Sequence, residues 1–317
     1  MMMAPDESQT LLTKAVDSAR ALLGEKYNPK DRDVATDSLQ NLLELCKTYS
    51  FDANREAHEP IRSIHHFACT GGTLITKHLA TTANVQVLSE VDPLSSVGID
   101  LDDTRFAPTD MIRLLRQNIR DVSNDVILNI FIGGLSALYK DCTDHGRRLI
   151  LRDHAHSHFC TDQDYAARPS LLGILRENFN TLSVVTVRHP LDSYLSLQSN
   201  NWVNFKPATL DEYCRRYGAF LLAYKNVPIV RYEDFVTSRH DVYAKLCAIL
   251  KLPINPDVQD LLPAINLTGD SGRSGNSVAV RPRRLVPDEV GQEIKTSSHY
   301  AALCARLGYE GEGVKET

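Results

Sequence analysis

From about residue 60 onward, short apolar runs alternate with helix-length amphipathic segments, and this alternation restricts the possible folds more than any other feature of the chain. Residues 61–67, 85–88, 149–151, 182–187 and 228–231 read as strands, and 74–80, 111–120, 126–139, 171–179, 210–223 and 242–250 carry helical spacing. Strands separated by helices pair in parallel, because each crossover needs a helix's length of chain, and such a sheet is covered on both faces. The expectation is an α/β domain over residues 59–317, a parallel sheet flanked by helices. Residues 1–58 read as a helical N-terminal extension. In it Leu11, Leu12, Ala15, Leu22 and Leu23 mark one helix, and Leu39, Leu42, Leu43 and Cys46 a second, with a turn at Asn28-Pro29-Lys30.

Composition removes several functional classes. With 317 residues, 43% hydrophobic and 24% charged, the chain has an ordinary globular profile. Its net charge of −5 supplies no overall basic field, so no nucleic-acid partner is expected. The seven cysteines are odd in number, scattered and never spaced C-x-x-C, which suggests reduced thiols. The N-terminal residues lack a leader pattern, and no run of about 18 apolar residues occurs, so a cytoplasmic protein without a transmembrane segment is expected. In that compartment the sequon Asn266-Leu267-Thr268 has no role.

Two segments carry chemistry. The first, Phe67-Ala68-Cys69-Thr70-Gly71-Gly72-Thr73-Leu74, joins an expected strand to an expected helix. Its glycines allow backbone amides to approach an anion, and the helix N-terminus adds partial positive charge. It is not a Walker A loop, because the terminal Gly-Lys-Ser/Thr is missing. The second, Val187-Arg188-His189-Pro190 continuing to Ser196, sets an arginine at a strand end and a serine eight residues on. That separation is about two helical turns at ~3.6 residues each, so both can face one phosphate monoester.

Together these segments resemble the PAPS-dependent sulfotransferase superfamily, PAPS being 3′-phosphoadenosine-5′-phosphosulfate. The resemblance covers residues 60–310 and implies a P-loop-like sheet. It implies that Cys69, Thr70, Gly71, Gly72 and Thr73 hold the 5′-phosphosulfate, and Arg188 and Ser196 the 3′-phosphate. Val230-Arg231-Tyr232-Glu233-Asp234-Phe235 is similar to that family's Tyr-Glu-Asp strand end, followed by Leu250-Lys251-Leu252-Pro253. Gly269-Asp270-Ser271-Gly272-Arg273, with Arg281-Pro282-Arg283-Arg284 behind it, resembles the basic loop that closes over the nucleotide, which brings in Arg273 and Arg281. The implied reaction moves a sulfuryl group from PAPS to a hydroxyl or amine, releases 3′,5′-ADP and needs no metal. One departure stands out. Many members have Lys or Arg where this chain has Cys69, and Arg152, ending the third expected strand, is the natural replacement cation.

The transfer needs a base to take the acceptor's proton. His154 matches the histidine of small-molecule cytosolic members, whereas Glu90, ending the second expected strand, matches the glutamate of the tyrosylprotein-modifying branch. Both stay candidates. His154, His156, His158 and Cys160 alternate and on a strand would face one side, so a metal hydrolase is an alternative. A P-loop-type kinase and a nucleotide-binding module without catalysis are others. The acceptor, whether sugar, phenol, lipid or peptide, stays open, as does the oligomeric state.

Overall fold

Five strands, β1 (Ile61–His66), β2 (Val85–Val91), β3 (Arg148–Asp153), β4 (Thr181–Val187) and β5 (Ile229–Arg231), form one sheet in the order β2-β3-β1-β4-β5. Every neighbouring pair is parallel. The computed structural model describes residues 58–97, 109–118, 120–267 and 282–309. The expected N-terminal helices within residues 8–50, and Arg273 and Arg281, lie outside the described residues.

The helices follow the expected alternation. α1 (Gly72–Ala80) leaves β1, and α2 (Met111–Arg116) and α3 (Asn124–Asp144) precede β3. α4 (Ala155–Phe159) and α5 (Leu171–Asn178) lead to β4, α6 (Pro190–Ser199) and α7 (Leu210–Ala223) to β5. Beyond it come α8 (Tyr232–Thr237), α9 (Arg239–Ile249) and α10 (Val258–Leu261), then α11 (Asp288–Thr296) and α12 (Ser298–Leu307).

The central strand β1 is buried along its whole length. On β4, Val184 faces a core layer with Ile75, Leu79 and Leu246, while Val185 and Val187 face another with Phe67, Tyr217 and Phe220. Strand side chains alternate, so burial on both faces explains the near-continuous apolar runs. Because β3 and β4 flank β1, the chain's direction of progress reverses there, beside the C-terminal ends of β1, β3 and β4. Ligands of doubly wound sheets bind at such a switch point.

Departures from expectation are local. β2 runs on to Val91 through a register shift between Leu88 and Val91. α3 is longer at both ends, starting after Ser123, whose side chain accepts from the Val126 amide. It is also apolar enough, by length and composition, to cross a membrane. Part of that apolar character goes into the core: Leu135 and Cys142 are buried beside Leu149 and Leu151 of β3, with Phe131 and Leu138 packed against them. Pro190 opens α6, where its missing N–H leaves no helical bond unmade. Helices α11 and α12 carried no expectation. Ser297 caps the second by accepting from the Tyr300 amide, and Gly308, at a φ of 72°, ends it. The described cysteines Cys69, Cys142, Cys160, Cys214, Cys247 and Cys304 are all thiols.

Candidate active site

The loop between β1 and α1 is built so that its backbone lies close to its neighbours. Gly71 has a φ of 87°, and a Cβ there would stand 2.3 Å from the Tyr232 ring. A Cβ on Gly72 would meet the His66 ring at the same 2.3 Å. Neither position admits a side chain. The Thr70 hydroxyl donates to the Phe67 carbonyl at 2.7 Å, and the Tyr213 hydroxyl donates to the Ala68 carbonyl at 3.0 Å. Burial, and secondarily the Arg152 guanidinium, hold His66 well below the ordinary imidazole range, so a neutral ring packs beneath the start of α1. The first-turn amides of a helix have no intrahelical acceptor, and α1 has no acidic residue there to offset its positive end. A glycine cradle of this kind suits a phosphate.

Arg152, at the end of β3, joins this loop to both candidate bases. Its side chain is 1% exposed. It donates through Nη1 to the Thr73 hydroxyl at 2.6 Å and through Nε to the Ser89 hydroxyl at 2.7 Å. Nη2 pairs with Glu90 Oε1, and the other carboxylate oxygen of Glu90 lies 3.3 Å from His154 Nε2. Glu90 and His154 are thus in contact with each other. Glu90 sits at a φ of 62° within the irregular stretch of β2. For a residue with a Cβ that conformation costs roughly 1–2 kcal/mol, and the Arg152 pair offsets it. Asp153, between Arg152 and His154, is held by His65 Nδ1 at 2.7 Å and by the Tyr224 hydroxyl at 2.5 Å.

The second motif reaches the same loop from the other side of β1. Arg188 Nη1 donates to the Cys69 carbonyl at 3.3 Å, and its guanidinium carbon lies 4.9 Å from the centre of the Tyr232 ring. The Arg188 amide donates to the Tyr217 hydroxyl at 3.1 Å. Glu233 accepts from the His189 amide at 2.9 Å and from the Tyr309 hydroxyl at 2.6 Å. Tyr232 and Glu233 therefore brace both the loop after β1 and the segment that follows β4. Ser196 is buried on α6.

No family model matches the chain, and no curated protein matches it. Among solved structures it is similar to the sulfotransferase domain of the Synechococcus PCC 7002 olefin synthase, at 15% identity and a TM-score of 0.46, over 75% of this chain and 94% of that one. It is similar to the sulfotransferase domain of the curacin biosynthetic pathway, at 17% identity and 0.43, over 80% and 99%. A third is mouse sulfotransferase SULT7A1 complexed with PAP, at 10% identity and 0.41, over 80% and 92%. All three are sulfotransferases.

The histidine run differs from its expected geometry. Residues 155–159 form α4, not a strand. His156 and His158 are two apart on that helix and, at about 100° per residue, point to nearly opposite sides, so the four residues of the run do not share one face. His156 Nε2 bonds the Trp202 carbonyl at 3.1 Å, while His158 Nε2 bonds the Tyr165 carbonyl at 2.9 Å. Burial pushes the Cys160 thiol up, which keeps it protonated and a poor ligand. Among the described residues no three His, Cys, Asp or Glu side chains are placed to hold a metal ion. Sequence reasoning also missed Ser89, the seat of Tyr232 on Gly71, and the bidentate pair of Arg168 with Asp92, at 2.6 and 2.8 Å. No local sequence signal announces these contacts.

Proposed function

We propose that the chain is a PAPS-dependent sulfotransferase, in which the Cys69–Thr73 loop holds the 5′-phosphosulfate and Arg188 with Ser196 the 3′-phosphate. The observation that carries this reading is the convergence of two strand-end arginines on one glycine loop, Arg188 at the Cys69 carbonyl and Arg152 at the Thr73 hydroxyl. The loop itself lacks the lysine that a P-loop kinase uses, which disfavours phosphoryl transfer from ATP. Arg152 would take over the neutralising role that Cys69 cannot serve.

In the reaction the acceptor oxygen or nitrogen forms a bond to sulfur as the bond from sulfur to the 5′-phosphate oxygen breaks. The acceptor's proton passes to Glu90 or His154, and the electron pair leaves with 3′,5′-ADP. Fixed cations and amides aimed at the departing oxygen lower the barrier because they need no reorganisation. A charge-assisted hydrogen bond contributes about 1.5–3 kcal/mol, so 3′,5′-ADP should bind at least about tenfold more tightly than 5′-AMP. Calorimetry with both nucleotides tests this, and equal affinity would remove the PAPS assignment. Incubation with sulfur-labelled PAPS and a cell extract then identifies the acceptor by the labelled product.

A further inference from the structure

All three residues of β5, the strand at one end of the sheet, line a cleft of about 300 Å³, with Val242 and Lys245 from α9 and Arg306 and Leu307 from α12. α9 packs on the sheet face where Val230 meets Val242 and Leu246, and α12 on the opposite face, where Leu303 and Leu307 join Val187. A cavity walled from both faces of a sheet lies beyond its edge strand, so the open side of β5 is its floor.

The ladder shows which backbone groups reach the cleft. The Val185 amide donates to the Pro228 carbonyl at 2.9 Å, and Thr186 is level with Val230. In a parallel pair alternate residues bond the neighbouring strand, so Val230 turns its N–H and C=O to β4 while Ile229 and Arg231 turn theirs outward. The Arg231 carbonyl is at the cap of α8, where it accepts the first helical bond. That leaves the N–H and C=O of Ile229 and the N–H of Arg231, none with a partner among the described residues. Such a row is what an added strand bonds.

Sheet edges are commonly guarded by a charged side chain on the strand itself. Here Ile229 is 43% exposed, and the Arg231 guanidinium lies on the Tyr309 ring, 4.1 Å from its centre. Two further charges stand beside the edge, Lys245 on the α9 side and Arg306 on the α12 side. Neither forms an ion pair with a carboxylate among the described residues, and Arg306 Nη2 donates to the Leu221 carbonyl at 3.2 Å. Asp234, the one acidic residue of the wall, acts on Arg231. Side chains of an added strand alternate, so successive residues would point one to Lys245 and the next to Arg306. A second copy would bring the same cations to the edge and be repelled, whereas an acidic segment is attracted.

We propose that the open edge of β5 docks an extended acidic segment of another protein, which adds a sixth strand through backbone bonds to Ile229 and Arg231 and sets successive carboxylates at Lys245 and Arg306. The docking is independent of the transferase chemistry. Fluorescence polarisation of the labelled, C-terminally amidated peptide Thr-Val-Glu-Glu-Val-Thr with the full chain tests it. This peptide should bind about fivefold more tightly than Thr-Val-Gln-Gln-Val-Thr, the span of two exposed charge pairs, and the advantage should vanish at about 1 M salt. In the double variant Lys245→Gln, Arg306→Gln the two peptides should bind within about twofold. Ile229→Pro removes an outward N–H and leaves the ladder to β4 intact, so it should weaken both peptides at least about fivefold at little cost in thermal stability. Equal binding of the two peptides to the unaltered chain, an acid advantage that survives the double variant, or undiminished binding to Ile229→Pro overturns the proposal. So does a concentration-dependent dimer that Ile229→Pro abolishes, which would put a second copy on the edge. Peptide binding that appears only after residues 310–317 are removed would give the edge to the chain's own Glu310, Glu312 and Glu316, and overturns it too.

Discussion

Replacing Gly71 by alanine should damage the loop by two separable routes. The residue has a φ of 87°, which costs a residue with a Cβ roughly 1–2 kcal/mol. The new Cβ would also lie 2.3 Å from Tyr232 Cδ2 and 2.9 Å from Cε2, against about 3.5–4.0 Å for ordinary carbon contacts. Forcing the ring back is an overpacking change of about 1–3 kcal/mol. Alanine returns about 0.4–1 kcal/mol by restricting the unfolded chain. The balance is a loss of about 1–4 kcal/mol. Urea unfolding of Gly71→Ala, Tyr232→Ala and the double variant separates the routes, since only the second depends on the ring. The double variant is expected to be more stable than additivity predicts by about 1–3 kcal/mol. Because the Tyr232 ring lies beneath the Arg188 guanidinium, Gly71→Ala should also weaken 3′,5′-ADP binding. Strict additivity, or a Gly71→Ala protein of unchanged stability, would refute the packing argument.

Arg188→Ala and Ser196→Ala should each weaken 3′,5′-ADP while leaving 5′-AMP nearly unaffected, by about 1.5–3 kcal/mol for the charged contact; calorimetry showing equal losses for both nucleotides would make Arg188 structural instead. Buried His78, whose pKa burial lowers from 6.5 to about 4, should make the fold acid-sensitive. The unfolded chain binds the proton first, so this contribution is complete above pH 6.5 and is lost as pH falls toward 4, by about 3 kcal/mol in all. Thermal unfolding across that range should show a shallower acid decline in His78→Gln. Glu90→Gln should lower turnover by about 10²–10⁴ if Glu90 is the base, while His154→Ala mainly raises the acceptor KM; the opposite pattern in steady-state kinetics would transfer the role to His154.

The parts of this molecule that could be read from its sequence are those whose cause is local. A glycine pair at a strand-to-helix junction, a proline opening α6 and a strand-end arginine are each specified by residues next to one another, and the parallel order follows from strand–helix alternation. Contacts made through space were not visible. Ser89 meets Arg152 from 63 positions away, and Tyr232 reaches Gly71 only because β5 pairs beside β4. The histidine run was ambiguous because five residues are too few for periodicity to distinguish helix from strand. The left-handed turn at Glu90 carried no glycine or asparagine to announce it.

Arg152 and Glu90 bear on the missing loop cation together. While Glu90 is ionised, its carboxylate sits on the Arg152 guanidinium, and much of the field that Arg152 would exert at the Thr73 hydroxyl is cancelled. Cys69 contributes no charge of its own to that loop. If Glu90 takes the acceptor's proton, the cancellation ends in the same step that places negative charge on the departing phosphate. The cation is then strongest in the transition state, where stabilisation raises the rate, and weaker in the ground state, where it would only tighten binding. A loop lysine at position 69 would act on both states alike. On this argument Glu90→Gln, which keeps the carboxylate's shape but leaves Arg152 uncompensated, should hold 3′,5′-ADP more tightly than the unaltered protein even as it loses turnover. A base that acted without this charge coupling would lose turnover at constant affinity.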